Sequence, residues 1–476
     1  MSALLPFDDA FARLLSHADT LPGTETIDTM NADGRVLARA LVSSLDVPPW
    51  DNAQMDGYAV RAADLSANPD QVFPVSQRIP AGHRGQPLQP GTVARIFTGA
   101  ALPPGADAVV MQEEVEAGLP LPGAEGTGVR FRVQPASGAW VRRRAEDIAA
   151  GSTVLAEGTR LTPAAVGLAA SIGAATLEVR RRPRVACFFT GDELVMPGQP
   201  LPAGGIYNSN RFVLNALLRR LGCEVLDLGI IPDSREATRQ ALREAAEGAD
   251  LIISAGGVSV GEEDHVRPAV EAEGQIDLWR VAIKPGRPLA YGRVGRHGPE
   301  GARAAVPGSF AHFIGLPGNP VSAFVTFLLF VRPFLLRLQG IQAVEPQAVT
   351  LISGFDWTNP DRRHEFLRAV QLPDGRLGLF RHQGSASPRP LSVWRLPSVR
   401  PRWRCAAVRA WPASLLATSW SCPASRCRPA ASTTPTASCS TRCCAGWAAR
   451  CWIWASSPTR GRPPVRPCAR RPKAPT

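Results

Sequence analysis

Between Pro183 and Leu338 the chain alternates short apolar runs with stretches of helical apolar spacing, and few folds accommodate that alternation. RVACFFT reads as a buried strand, Asn210–Leu221 as a helix, CEVLDLGII as a strand, Ser234–Glu247 as a helix and DLIISAGG as a third strand. Ser234 opens its helix without a capping-box acid at Ala237, although Glu236 lies in the first turn. WRVAIKPG, PLAYGRV and AHFIGLP add strands, and Pro320–Leu336 is an apolar helix. Parallel strands covered on both faces need near-continuous apolar runs and helix-length crossovers, so the pattern predicts a three-layer α/β domain with a parallel-rich sheet. Such sheets bind ligands beyond the carboxyl ends of their strands. TGDE, PDS, AGGVSVGEED and GLPGNP fall at those ends.

The flanks have a different texture. Pro6–Ser16 has helical spacing, Ile27–Val42 reads as a strand or turn followed by a helix, and Leu161–Ile172 is a small-residue helix. From Val47 to Val141, short β-like runs (YAV, VFPVS, TVARIF, AVVMQEE, VRFRV) are separated by Pro and Gly. The expected organisation is multidomain α/β plus β. Residues 1–46 and 142–182 form a scaffold domain, 47–141 an inserted β-rich domain, 183–338 the α/β domain and 339–385 a truncated C-terminal β domain.

Residues 386–476 have a composition unlike the rest: no Asp or Glu, 16 Lys+Arg, 8 of the 10 Cys and 7 of the 11 Trp. The genetic code accounts for this. Reading codons for Arg160–Leu251 shifted by one nucleotide reproduces the tail: Leu221-Gly222 as CTG GGC yields TGG for Trp447, and Val213-Leu214 as GTG CTC yields TGC for Cys439. The correspondence fails at Ser385, and the next shifted codon, from Leu251-Ile252, is TGA. The tail reads as an out-of-frame copy of an internal gene segment and is expected to be disordered. Removing its 16 positive charges turns the net charge of +12 into −4, so the basic balance carries no message about nucleic acid or membrane partners. Outside it only Cys187 and Cys223 remain, both in apolar surroundings, which fits a reducing compartment without disulfides. With no signal-peptide pattern and no apolar run of membrane-spanning length, a cytoplasmic protein is expected.

The residues able to do chemistry cluster at the strand ends. AGGVSVGEEDHV supplies glycines whose backbone N–H groups suit phosphate, and Glu262, Glu263 and Asp264, which suit a hard cation. Asp192 and Glu193 end a strand, where they serve either a ligand or a helix N-terminus; Asp233 is either functional or a cap or turn former. Arg280, Lys284 and Arg287 suit oxyanion binding, or line a solvated strand. Asn319 in GLPGNP suits a tight turn at a helix start. In the β-rich part, Asp51, Asp56 and Thr98 lie in turns, and RRRAEDI (142–148) mixes cations with Glu146 and Asp147. No His pair has metal-ligand spacing, and no GxSxG or P-loop lysine occurs. GGVSVG follows the third strand of its region rather than opening the first βα unit, which argues against NAD.

PPWDNAQMDGYAV, RIFTGA, RRRAEDI, TGDEL, AGGVSVGEEDHV, AIKPGRP, GLPGNPVSA and HQGS follow one another in this order. Together they resemble the molybdopterin molybdenumtransferase family, whose animal relative is the gephyrin E domain, over about Leu5 to Ser385. The resemblance implies an elongated homodimer that inserts molybdenum from molybdate into adenylylated molybdopterin and releases AMP, with Mg2+. It implies roles for Asp56, Thr98 and Asp147 at a cleft shared with the partner copy, and for Glu193, Asp233 and Asp264 in holding metal and adenylate. Arg280, Lys284 and Arg287 would bind molybdate or phosphate. Gly256, Gly257, Ser259, Pro317, Gly318, Asn319 and Pro320 would shape the ligand turns, and Arg368 and Ser385 would reach the cleft from the last domain. Arg280 stands where relatives often carry Lys, which keeps charge but changes geometry. A molybdopterin adenylyltransferase is an expected partner. As an identity for this chain it is disfavoured by the 47–141 insertion. A non-catalytic molybdopterin-binding scaffold, or an inactive product of a frameshifted gene, would carry the same motifs. DNA sequencing across the Ser385 codon is expected to find a near-repeat of the codons for Arg160–Leu251; reads without a repeated block contradict the out-of-frame origin.

Overall fold

The computed structural model describes residues 4–123, 125–258, 264–286, 288–297, 305–345, 348–356, 363–379, 402–408 and 451–455. Contacts divide it into two units, one of residues 1–20 and 182–476, the other of residues 21–181.

The first unit is built on a six-stranded sheet in the order 224–231, 184–190, 251–255, 305–316, 288–297 and 274–280. The first four strands are parallel, with Thr190 opposite Ile231, Phe189 opposite Ala255 and Ala255 opposite Leu316. The last two run antiparallel, so the sheet is parallel-rich and mixed rather than wholly parallel. The reason lies in the connections, because Arg280 to Pro288 and His297 to Ala305 are joined by short segments, too short for a parallel crossover. Alternate residues face opposite layers. Ala186, Phe188, Ile252 and Phe313 pack with Leu242, Ala245, Val266 and Ala269 from helices Arg235–Gly248 and Val266–Glu273. On the other face, Cys187 meets Asn215 of helix Ser209–Arg220, and His312 packs edge-on against Phe334.

Helix Pro320–Leu338 forms much of that second face. By length and composition alone it would cross a membrane, contrary to the sequence expectation, but 78% of its apolar window is buried inside the protein, as in a core helix. Its middle turn, Phe327–Val331, is π-helical. Pro333 lies just beyond and has no N–H to return to the preceding turn, which locally loosens the α-helical ladder. Helix Phe7–Leu15 packs here too, with Phe7 edge-on to Phe330 at 5.4 Å.

A second sheet in this unit orders 283–284, 364–371, 451–455, 402–408 and 348–352, with 377–379 paired to 364–371. Two of its strands belong to the segment expected to be disordered. Cys451–Ala455 pairs with His364–Gln371, and Arg402–Val408 with Ala348–Ile352, which corrects that expectation for these stretches. CWIWA and RWRCAAV are rich in aromatic and other strand-favouring residues, whatever the frame that encodes them.

In the second unit a six-stranded sheet orders 108–111, 57–60, 93–96, 73–79, 127–131 and 115–120. Tyr58 and Phe73 pack edge-on against Phe131 in its core. The helix expected within Ile27–Val42 is absent from that stretch. The chain forms strand Thr24–Asp28, a 3-10 turn and then isolated bridges from Val36 to Arg160 and Leu37 to Val179. Gly34 at φ 75° breaks any helix there, and cross-chain pairing takes up the backbone groups a helix would use.

One buried titratable group makes the first unit acid-sensitive. His312 accepts or donates at Nδ1 to the Tyr291 hydroxyl at 3.0 Å, and Tyr291 stacks on His17 at 4.7 Å. Burial, then the charges of Arg293 and His17, lowers His312 to about 4. A depressed histidine contributes stability that is complete above the unfolded value near 6.5 and is lost as pH falls towards 4. The shift corresponds to about 3 kcal/mol. Urea unfolding of wild type and His312→Phe from pH 7 to pH 4 is expected to show the smaller loss in the variant; parallel curves contradict this account.

Candidate functional site

Four parallel strands end at one edge of the first unit's sheet, and a cavity of about 600 Å³ opens there. Its walls come from the segments the sequence singled out: Thr190, Gly191 and Glu193 after the first strand, Asp233 after the second, Ala255–Val258 and Asp264 after the third, and Pro317–Pro320 after the fourth. Glycine is required at the turn after Ala255. Gly256 and Gly257 have φ of +105° and +63°. A β-carbon on Gly256 would lie 2.6 Å from the Thr190 carbonyl oxygen, and one on Gly257 would lie 2.5 Å from the Val266 side chain. Gly191 likewise leaves room for a neighbour, since a β-carbon there would lie 2.6 Å from the Glu193 carboxylate.

Hydrogen bonds tie these loops together. The Asp233 amide donates to Asp192 Oδ1 at 3.4 Å, and Asn210 Nδ2 donates to the Gly318 carbonyl at 2.8 Å. Asn319 caps the following helix, its Oδ1 accepting from the Val321 and Ser322 amides. Pro320 takes the first helical position, where its missing N–H costs nothing.

Among the described residues, the charged side chains of the wall are Glu193, Asp233 and Asp264. Burial, reinforced by the charge of Asp233, raises the Asp264 carboxyl to about 6. The backbone amides of Val266 and Arg267 pull the other way, yet among the described residues neither Asp264 oxygen has a partner in full hydrogen-bonding geometry. The carboxylates share the wall without closing on one point: among the described residues, no three His, Cys, Asp or Glu side chains form a metal-holding group. That arrangement fits Mg2+, which commonly takes one or two carboxylates and completes its shell with water and substrate phosphates.

Other expected residues lie elsewhere. Among the described residues the wall includes neither Arg280 nor Lys284, and Lys284 Nζ lies 2.9 Å from the buried Glu365 carboxylate. Asp56 and Thr98 belong to the second unit and meet there: Asp56 Oδ1 accepts from the Thr98 amide at 2.8 Å and hydroxyl at 2.7 Å. Those bonds, the backbone one first, hold Asp56 below the usual carboxylate range. Asp147 pairs with Arg142 in the same unit. Ser259, Arg287 and Ser385, together with Glu262 and Glu263, lie outside the described residues, and Arg368 is placed only as a position in strand His364–Gln371. Sequence reasoning missed Asn210 and the role of Thr190; NSN before a helical stretch was the available signal for the former.

The two glycine-rich turns are expected to respond differently to alanine. Gly256→Ala meets backbone at a left-handed position and should cost about 2–4 kcal/mol. Gly318→Ala has only the Gly256 Cα within reach, at 3.7 Å, and should be near neutral. Urea midpoints of both variants check this; equal losses contradict the geometry.

Comparison with known proteins agrees with this layout. Residues 5–173 match the family described as MoeA N-terminal region (domain I and II), and residues 186–337 match the probable molybdopterin binding domain. A molybdopterin molybdenumtransferase of Haemophilus influenzae is 40% identical over 338 residues, 71% of this chain and 78% of that protein. One from Nostoc sp. is 38% identical, covering 79% of this chain and 83% of its own. The crystal structure of the molybdopterin biosynthesis moeA protein from Pyrococcus horikoshii OT3 is 28% identical with a TM-score of 0.64, covering 80% of this chain and 91% of that one. With these motifs on one sheet edge and relatives matched over more than two thirds of their length, the chain belongs to the molybdopterin molybdenumtransferase family.

Proposed function

We propose that this protein is an enzyme of molybdenum cofactor biosynthesis, inserting molybdate-derived molybdenum into adenylylated molybdopterin with release of AMP. The observation that carries the reading is the convergence of Glu193, Asp233, Asp264 and two glycine-rich turns on one cavity. The names of the curated relatives support the enzyme over a non-catalytic scaffold or an inactive product.

The chemistry asked of the chain is limited. The dithiolene sulfurs that take the metal belong to the substrate, so no protein thiol is needed, and Cys187 and Cys223 are buried. The Gly257 side of the glycine turn is the backbone proposed to meet phosphate oxygens, since Asn319 takes the Val321 and Ser322 amides of the helix beginning at Pro320 and the Gly256 amide donates to Leu316. Glu193 and Asp233, with Asp264 beside them, are positioned to hold Mg2+ entering with those oxygens and to orient water at the phosphorus. Bound there, the ion would offset negative charge as AMP leaves. Arg280, Lys284 and Arg287 remain the proposed molybdate cations, which for Lys284 means exchanging its Glu365 partner for the oxyanion. Asp56, Thr98, Asp147, Arg368 and Ser385 are proposed to contact substrate in a homodimer, with a molybdopterin adenylyltransferase supplying the adenylylated pterin in the cytoplasm. The segment from Ala386 onward is proposed to be the out-of-frame copy.

Purified full-length chain given adenylylated molybdopterin and MgCl2 should release AMP only when molybdate is present. Glu193→Gln and Asp233→Asn should each slow release by about 100-fold or more, and EDTA should abolish it. Release that ignores molybdate, or variants as fast as wild type, overturns the reading.

A further inference from the structure

Two wall residues carry polar atoms that the fold leaves unsatisfied. Thr190 is 5% exposed, and among the described residues its hydroxyl has no hydrogen-bond partner. Both oxygens of Asp264 are buried and, among the described residues, meet no partner in full hydrogen-bonding geometry, although the Val266 and Arg267 amides approach the carboxyl. Both residues line the cavity, and Thr190 and Val266 flank the Gly257 turn. Thr190 Oγ1 lies 3.0 Å from where a Gly257 β-carbon would sit, and Val266, two residues after Asp264, lies 2.5 Å from the same point. Native interiors rarely leave buried polar atoms unpaired, and where they do a ligand is a physical explanation.

We propose that Asp264 and Thr190 together read the aminopyrimidinone edge of the substrate's pterin. The inference rests on the function proposed above and assigns part of the substrate to part of the cavity. That edge presents, in order, an exocyclic amino group, a ring N–H and a carbonyl oxygen. Two donors followed by one acceptor need two acceptors followed by one donor. The Asp264 carboxylate supplies two acceptor oxygens, in the paired geometry that also receives an Arg fork. The Thr190 hydroxyl supplies the donor. Other parts of the substrate fit worse. A phosphate offers acceptors only, which a carboxylate repels. The adenine edge sets a ring nitrogen acceptor beside its amino group, so one Asp264 oxygen would face an acceptor. Guanine carries the same edge as a pterin and is the competitor that must be tested.

Binding of pterin itself (2-amino-4-oxopteridine), GMP and AMP to the full chain is measured by calorimetry and by quenching of pterin fluorescence. Thr190→Val and Asp264→Asn should each weaken pterin by about tenfold or more, while Thr190→Val changes AMP by less than about twofold. Thr190→Ser, which keeps the hydroxyl, should retain pterin within about threefold. Because Thr190→Val removes an unpaired buried hydroxyl and Asp264→Asn removes a buried charge, both should melt no lower than wild type, which separates lost recognition from lost folding. Failure of wild type to bind millimolar pterin, equal losses for AMP in Thr190→Val, unchanged pterin binding in the variants, or GMP bound as tightly as pterin each overturns the assignment. In any of these cases molybdate-dependent AMP release by the wild type leaves the proposed function standing.

Discussion

The register of four parallel strands is the constraint on which the site depends. Thr190 sits opposite Ile231, Phe189 opposite Ala255 and Ala255 opposite Leu316, so four chains end within one step of each other. Because side chains alternate faces, a slip of one residue would turn Phe188, Ile252 and Phe313 out of the cluster they share with two helices. Each such side chain contributes about 1.5–3 kcal/mol when fully buried, so the core fixes the register and the register fixes where the loops begin. Gly256 then tucks under the Thr190 carbonyl, a closeness no side chain would permit.

Given that frame, the character of the cavity follows from charge. Its described walls carry carboxylates and no cation, and the carboxyl of Asp264 is raised by burial and by Asp233 nearby. Asp233 repels Asp264 in this recess and Asp264 loses hydration, a cost the fold sustains from its core packing. An anionic substrate enters such a recess only with a counter-cation or with a neutral donor edge turned towards the acids. The proposed Mg2+ at the phosphates and the proposed pterin donors at Asp264 would supply one of each.

The sequence made much of this legible, because the informative features are local. A strand, the glycine turn after it and the acid beyond the turn lie within a few residues, so TGDE, AGGVSVGEED and GLPGNP could be placed at strand ends and then found around one cavity. What depends on distant partners was not legible. Lys284 reads as a ligand cation by composition, yet it pairs with Glu365 some eighty residues later. NSN marks Asn210 only as the start of a helix; its place in the wall comes from reaching Gly318. The Ile27–Val42 stretch has helical spacing, but Gly34 and the bridges from Val36 and Leu37 impose another backbone. The tail shows the converse, since a composition explained by codon arithmetic still supplies strands Arg402–Val408 and Cys451–Ala455.

On this view one cavity at the strand ends holds the pterin nucleotide. A crystal structure of the full chain with adenylylated molybdopterin tests it most directly. Density is expected in the cavity bounded by Thr190, Glu193, Asp233, Gly256 and Asn319, with the pterin edge on Asp264. A nucleotide bound on any other face of the protein, with that cavity filled by water, would contradict it.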